Sequence, residues 1–502
     1  YLPPNITMAV HDYKTGEPCW TWFVPDKWTL NRAYVYDGEK KVIDADDNPL
    51  HVMSYSIPVT DVIKRDDLLK HIYTSKKMPD SIPFMFNYYN RDWGFCMAEN
   101  KVKDLTAPEY RVVIDSKFSE GTLKVADITI SGESDDIIVL CAHLCHPSMV
   151  NDGLSGVVVA IDMALKLSER KNHYTYKILL VPETIGSIAY LIHNENLIRK
   201  IKAGIFLEML GNDNNHLVQL TRHDAPINRI AKEVFSNYSH RLGIVGKGVS
   251  NDEIVFNSPG VDVPMISISR ASYPEYHTSS DTPEIISLNR LSQSEKIMMK
   301  IIDVLEKNYV PVRYYTGPVF LSGQGLWVDR NIDREGNDLV NDVMMNIDGN
   351  NDVFDISKIV GADFYEVNWL LNRFAERGLI INSLHCSLKD ETNKVLVGVD
   401  VEDVRRMQTA NKQFISKVFT KNEVAYCATK QNPTETLTGI FSAKEAVLKC
   451  IGKIIPLSGI SEVEIMHNNN APYALVKGKR YDISISISHS GSKAVAVAIY
   501  CR

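Results

Sequence analysis

The chain has no run approaching the ~18–20 apolar residues of a membrane span, and nothing at its start reads as a signal peptide. A membrane-embedded or secreted protein is therefore not expected. It opens on Tyr1 rather than Met, so an N-terminal piece is expected to be absent. It has only 8 cysteines, scattered without paired spacing, in a sequence long enough to build cores by other means. That points away from a disulfide scaffold, toward reduced thiols and a cytoplasmic address. Internal repeats and low-complexity tracts are also lacking, which excludes a solenoid. An overall basic balance is missing too, since the net charge is −7. At 502 residues the chain is too long for one core and should hold three or four domains.

The charge is unevenly spread. From Val395 to Arg502 there are 14 Lys+Arg against 9 Asp+Glu, a local +5, which leaves −12 for the remainder. A basic final segment on an acidic body suits an acidic partner. Residues 1 to about 130 are rich in short aromatic and β-branched runs with turn punctuation, and read as mostly β with one helix near Asp66 to Thr74. From about 131 to 310 apolar strands alternate with helical stretches, the rhythm of an α/β sheet. Short helices follow over 318–392.

The last hundred residues carry the most specific chemistry. Val395 to Val399 reads as a buried strand, so Asp400 emerges at its end and can hold a hard cation. Ser442 to Cys450 reads as a helix with Glu445 and Lys449 four apart on one face. A carboxylate beside an ammonium suits a Mg²⁺-bound pyrophosphate, with Asp400 and Glu445 on the metal and Lys449 on phosphate oxygens. Ile483 to Ile487 alternates with period two and delivers His489 to a rim. These motifs, in this order, resemble the holo-acyl-carrier-protein synthase group of 4′-phosphopantetheinyl transferases over Lys394 to Arg502. In place of that group's usual Gly-Lys-Pro turn stands Asn468-Asn469-Asn470-Ala471-Pro472. The resemblance implies transfer of phosphopantetheine from coenzyme A to a serine of an acyl or peptidyl carrier protein. It implies Mg²⁺ on Asp400 and Glu445, Lys449 stabilising the departing charge and His489 at the nucleotide end. Arg406, six residues past Asp400, would meet the acidic carrier. Small synthases of this kind are trimers with sites between subunits. Residues 1–390 contain no second Gly-x-Asp with Ala-Lys-Glu-Ala, so a homotrimer through the C-terminal domain is expected.

A second constellation lies in the α/β region. His143 ends the apolar strand Ile137 to Ala142, where α/β sheets place their chemistry. Asn151-Asp152-Gly153 follows; Glu183 and Glu208 sit at two further strand ends, and Tyr276-His277 lies in a loop. Two His with three carboxylates is a ligand mix that zinc uses in amide hydrolysis. In order and type these motifs resemble the di-zinc aminopeptidases over about Ser131 to Val310. They are closer still to an uncharacterised group of aminopeptidase-like proteins with an inserted β domain and a trailing winged helix. The resemblance implies that Asp152 bridges two Zn²⁺ ions, with His143 and Glu208 on one and Glu183 and His277 on the other. Tyr276 would polarise the scissile carbonyl of an unknown peptide or aminoacyl substrate.

Three departures matter. Glu183 is flanked by Pro182 and Thr184 where active members have adjacent glutamates, and one carboxylate cannot easily be both ligand and base. His143-Leu144-Cys145 replaces a His-x-Asp pair, removing the Asp that orients the first ligand. His146-Pro147 is either an extra ligand or a plain turn. Two readings stay open: a single-metal site with Glu183 as base, and an inactive scaffold.

Val340 to Ile347, Val353 to Val360 and Phe364 to Arg377, then Gly378-Leu379-Ile380, resemble a winged helix-turn-helix. Residues 325–380 hold 5 Arg+Lys against 11 Asp+Glu, the wrong sign for a DNA reader. The expected architecture is therefore an α/β zinc-aminopeptidase-like domain (1–50 and 131–312) with an inserted mostly-β domain (51–130). A winged-helix-like domain (318–392) and a C-terminal α+β phosphopantetheinyl transferase domain (394–502) complete it.

Overall fold

Strands apolar along their whole length must be covered on both faces, and here they form the middle of an eight-stranded sheet. The computed structural model describes residues 5–248, 250–382, 395–451, 459–468, 471–481 and 483–501, in two units, Tyr1–His385 and Cys386–Arg502. In the larger unit the principal strands are β1 (Ile6–Lys14), β2 (Lys27–Tyr36), β3 (Lys41–Asp44), β4 (Val59–Lys64), β5 (Glu109–Ser119) and β6 (Thr122–Ile130). They continue as β7 (Ile137–His143), β8 (Thr175–Val181), β9 (Ile201–Leu207), β10 (His216–Leu220), β11 (His240–Ile244) and β12 (Met265–Ser269). The central sheet runs β1-β6-β8-β7-β9-β12-β10-β11. β7 pairs in parallel with β8 on one side and β9 on the other, so the order of strands reverses about it. A crevice opens beyond the carboxyl ends of such strands.

Alternate residues of β7 feed opposite cores, as the two-residue period of a strand requires. Ile138, Leu140 and Ala142 join the core beneath α1 (Ser155–Ser168), α3 (Pro226–Ser236) and α5 (Leu288–Lys307). Ile137, Val139 and Cys141 join the core beneath α2 (Ile185–His193) and α4 (Asp252–Asn257). A second sheet, β3-β2-β5-β4, buries its own apolar face.

The boundary of the inserted part differs from the expected 51–130. β6 belongs to the central sheet, in register with β1 from Ile6↔Ile130 to Lys14↔Thr122, whereas β2 and β3 pair within the inserted sheet. Strand alternation shows which residues face a core but not which sheet a strand joins. The helix expected near Asp66 to Thr74 is one short turn, Arg65–Leu68, followed by a 3₁₀ turn and an edge strand.

Three helices follow α5: α6 (Arg334–Met345), α7 (Val353–Val360) and α8 (Phe364–Glu376). Their apolar faces join the core that α1 and α5 share with the sheet. α6 begins earlier than the apolar periodicity indicates because the Asp333 side chain caps it, accepting from Gly336 N at 2.9 Å. Asp352 and Asp363 cap α7 and α8 in the same way. Part of this segment's acidity is thus used on helix ends. The expected wing, Gly378-Leu379-Ile380, leads into a two-residue strand, Ile380–Ile381, that pairs with Val312–Arg313, and residues 383–392 lie outside the described residues.

In the smaller unit, β13 (Val395–Asp403), β17 (Lys493–Cys501) and β16 (Ile483–Ser490) form a sheet, while β14 (Val463–Asn468) and β15 (Ala471–Val476) pair separately. The helices used below are α9 (Val404–Gln408), α10 (Lys421–Ala428) and α11 (Pro433–Ile451). Two expectations change. Asp400 lies inside β13, opposite Ala496, rather than at a strand end. β13 is not buried on both faces either: Val397, Val399 and Val401 are 54%, 47% and 51% exposed, leaving one face of the strand bare. The boundary at Lys394 and the turn residues Asn469 and Asn470 lie outside the described residues. No helix among the described residues is long and apolar enough to cross a membrane.

Candidate functional site

Two groups of chemistry-bearing side chains are present, one in each unit. In the larger unit, His143 is the last residue of β7, and the chain then loops so that Asp152 returns beneath it. The Asp281 carboxylate fixes that loop, accepting from the backbone N–H groups of Val150 (3.2 Å), Asn151 (2.7 Å) and Asp152 (3.0 Å) and from the Tyr273 hydroxyl (2.7 Å). Gly153, at φ +88°, takes the left-handed turn that a side chain would strain.

Three imidazoles converge on Asp152. His143 Nε2 lies 3.1 Å from Oδ1, while His277 Nε2 and His146 Nε2 lie 3.1 and 3.3 Å from Oδ2. Burial alone would raise the Asp152 carboxyl, but the three imidazoles hold it far below the ordinary carboxylate range. Glu208, the residue after β9, offers a carboxylate to the His143–Asp152 pair, and all three ligand atoms lie within 4.8 Å of one another. Burial pushes the Glu208 carboxyl well up, and the Asn251 amide donates to it. Both adjacent acids on α4 are also raised by burial, Asp252 to about 6 and Glu253 to about 7.

Glu183 does not join His277. Its Oε2 faces the other edge of the His143 ring, 3.9 Å from Nδ1, and it groups there with the Cys145 thiol. The edge that a His-x-Asp pair would occupy therefore faces Glu183 and Cys145. His277 shares Asp152 with His146 instead. Tyr276 stacks on His277 with ring centroids 3.9 Å apart, and burial keeps its phenol protonated. Backbone strain collects here: Ser148, Thr184, Met209 and His277 all have φ between +50° and +63°. Such residues cost of order 1–3 kcal/mol each and persist where the surroundings force them.

A cavity of about 730 Å³ opens at Glu183. One wall is aromatic, with Trp22, Tyr55, Phe86 and Tyr88 from the inserted part, and Lys124 on β6 adds a cation. Phe84, from the same insert, packs edge-on against His277, and its N–H donates to His277 O at 2.8 Å.

The second group lies where α11 crosses β13. A Cβ on Gly398 would stand 1.9 Å from Ala446 O, so only glycine allows this approach. It brings Lys449 Nζ within 2.8 Å of Asp400 Oδ1 and 3.2 Å of Val399 O. Asp400 Oδ2 is buried without a hydrogen-bond partner. Glu445, one turn before Lys449, has its carboxyl raised by burial and then by the charge of Asp400. Asp400, with its orphaned oxygen, and Glu445 beside it offer the oxygen donors that a hard cation accepts. Arg406 on α9 is exposed and paired with Glu402 at 2.8 Å. His489 lies at the end of β16, where its Nε2 meets the Glu435 carbonyl at 3.0 Å; Gly439 leaves it room.

The roles of Asp281 and Asn251 are not readable in the sequence, because each acts on a ligand loop far away in the chain. Asp281 does lie in the motif that supplies His277, but no spacing ties it to Asp152. Beneath α11, Lys444 and Glu423 form a fully buried ion pair at 2.8 Å that sequence spacing gives no reason to expect.

Comparison with known proteins resolves the lineage of both units. Residues 1–308 match a family described as a domain of unknown function, DUF4910, and residues 396–499 match the 4′-phosphopantetheinyl transferase superfamily. A Clostridium acetobutylicum protein, described as a candidate polysaccharide biosynthesis protein with an aminopeptidase-like domain, is 36% identical over 309 residues. That match covers 61% of this chain and 71% of the relative. A holo-[acyl-carrier-protein] synthase of Fusobacterium nucleatum is 35% identical over 116 residues, 20% of this chain and 95% of that enzyme. The crystal structure of a candidate peptidase from C. acetobutylicum superposes with a TM-score of 0.67 at 31% identity, covering 75% of this chain and 88% of that one. The chain belongs to the DUF4910 family through its aminopeptidase-like N-terminal domain, and it carries a C-terminal domain of the holo-acyl-carrier-protein synthase type.

Proposed function

We propose that the C-terminal domain transfers 4′-phosphopantetheine from coenzyme A to a serine of an acyl or peptidyl carrier protein. The observation that carries this is the β13–α11 crossing, where Asp400 keeps Oδ2 buried without a partner while Oδ1 accepts from Lys449 and its charge raises the Glu445 carboxyl. Asp400 and Glu445 would hold Mg²⁺, which supplies charge neutralisation at the pyrophosphate. The carrier serine attacks the β-phosphate, and adenosine 3′,5′-bisphosphate departs with the electron pair of the broken P–O bond. Lys449, half exposed beside Asp400, meets the phosphate oxygens, and His489 lies at the nucleotide end. Arg406 projects into solvent and suits the acidic carrier. With coenzyme A and Mg²⁺, an apo carrier protein should gain the mass of one phosphopantetheine. No gain on any carrier encoded nearby ends this reading.

The N-terminal domain we read as a zinc-dependent hydrolase of an amino-terminal amide or related acyl bond. The convergence of His143 and Glu208, from two strand ends, on Asp152 supports it, as does the cavity that opens at Glu183. These donors are ones zinc accepts, and zinc there would supply Lewis acidity toward the acyl carbonyl and an acidified water. Glu183, at the cavity mouth, is the base, and Tyr276 the hydrogen-bond donor to the carbonyl. The segment 318–392, read as a winged helix, serves packing or a protein partner rather than DNA.

A homotrimer through the C-terminal domain is part of the same proposal. The bare face of β13 continues onto Ile499 of β17, so four β-branched residues stand uncovered. Faces of this kind are covered by association. Light scattering should give a mass near three chains. A monomer that transfers at full rate refutes the trimer.

A further inference from the structure

We propose that His146 is a metal ligand, standing where the expected ligand set has Glu183 and making with Asp152 and His277 a second metal position. The assignment rests on the zinc reading of the N-terminal domain. It is carried by an unusual imidazole. The His146 side chain is only 4% exposed, and neither ring nitrogen makes a hydrogen bond. Leaving two such nitrogens buried without hydrogen bonds is costly unless something absent from the protein chain meets them.

The ring is held by packing. Phe84 lies 4.9 Å away on one side, with His277 and His143 at 5.4 and 5.9 Å. This aims Nε2 at Asp152 Oδ2, at 3.3 Å, without hydrogen-bond geometry. Asp152 Oδ2 is likewise buried and unbonded. Donors bound to one tetrahedral zinc at about 2.0–2.1 Å lie about 3.3 Å apart. The His146–Asp152 and His277–Asp152 separations, 3.3 and 3.1 Å, have that size.

The two oxygens of Asp152 then serve two metal positions. Oδ1 faces His143, with Glu208 nearby, and Oδ2 faces His146 and His277. A neutral imidazole in place of a carboxylate leaves this centre one charge more positive. It also frees Glu183, which could not easily be ligand and base together. The unpaired glutamate beside Pro182 and Thr184 is then no defect.

The full-length chain, loaded with Zn²⁺ and dialysed, is the sample for metal analysis. The wild type should hold two zincs, His146→Ala one, and Glu183→Gln two. In Co²⁺-loaded protein, the visible ligand-field bands of one site should vanish in His146→Ala and persist in Glu183→Gln. Thermal melting of the metal-free proteins is the folding check: His146→Ala should still unfold in a cooperative transition. Its zinc-induced rise in melting temperature should be smaller. Two zincs retained in His146→Ala, or one lost in Glu183→Gln, overturn this assignment alone. One zinc in the wild type also overturns it, and a wild type without zinc ends the hydrolase reading as well.

Discussion

Glu445→Gln is expected to lower phosphopantetheinyl transfer by roughly 10³-fold or more while leaving the fold as stable as before. The two effects separate because of where the carboxylate sits. Glu445 is partly buried on α11, and burial and then Asp400 raise its carboxyl. Without a cation the two negative charges oppose each other, so an amide of the same shape relieves strain. With pyrophosphate and Mg²⁺ present, the lost charge is one that positions the metal, and phosphoryl enzymes depend almost wholly on such positioning. The mass of an apo carrier protein over time gives the rate, and thermal melting gives the stability. Transfer within tenfold of the wild type would remove Glu445 from the metal site. A large drop in melting temperature would mean that Glu445 serves the fold.

Glu423→Ala should have the largest effect on stability, destabilising the C-terminal unit by about 3–5 kcal/mol. Glu423 accepts from Lys444 Nζ at 3.0 and 2.8 Å, from Ile465 N at 2.8 Å and from Thr420 N at 2.8 Å, with both charged side chains fully buried. Removing it leaves an ammonium without a counter-charge and two backbone donors without acceptors. All six tryptophans lie in the larger unit, so fluorescence would miss the event. Hydrogen exchange of the amides in α10, α11 and β14 reads it instead, and should accelerate by two orders of magnitude or more. A Glu423→Ala, Lys444→Met pair should recover part of the loss, since replacing both partners removes the unpaired charge. Unchanged exchange in the single variant would show the pair to be energetically idle.

The sequence made much of both sites legible, for a physical reason that also marks its limit. Apolar runs ending in His143, Glu183 and Glu208 are readable because a covered strand of a parallel sheet must be apolar and its carboxyl end must leave the core. Glu445 and Lys449 are readable because residues four apart along a helix share a face, whereas Asp400, expected at a strand end, lies inside β13. His146 was visible only as a choice between ligand and turn, because the choice depends on Phe84 and Asp152 packing around the ring. Glu423 and Lys444 meet across two helices, and Asp281 supports Asp152 from 129 residues away. Register alone decided the insert boundary, since β2 and β5 pair over a separation that no local pattern records. The bare face of β13 misled for the opposite reason: an apolar run looks the same whether its second face is covered or exposed.

An insertion that merely decorated a sheet could be shed or exchanged by recombination, and its sequence would drift freely. The one between β1 and β6 has lost that freedom. The Phe84 N–H donates to the carbonyl of His277, the Ile82 N–H to the Ser279 hydroxyl, and Ser81 bonds Ser280, so closely spaced links at Ser81, Ile82 and Phe84 fasten it to the loop that carries His277. Any lineage that deletes or swaps this segment must re-invent the placement of His277 in the same step. Recombination breakpoints in descendants of this chain should therefore avoid residues 15–121, and change there should arrive as point substitutions in the aromatic wall, leaving the three anchors in place.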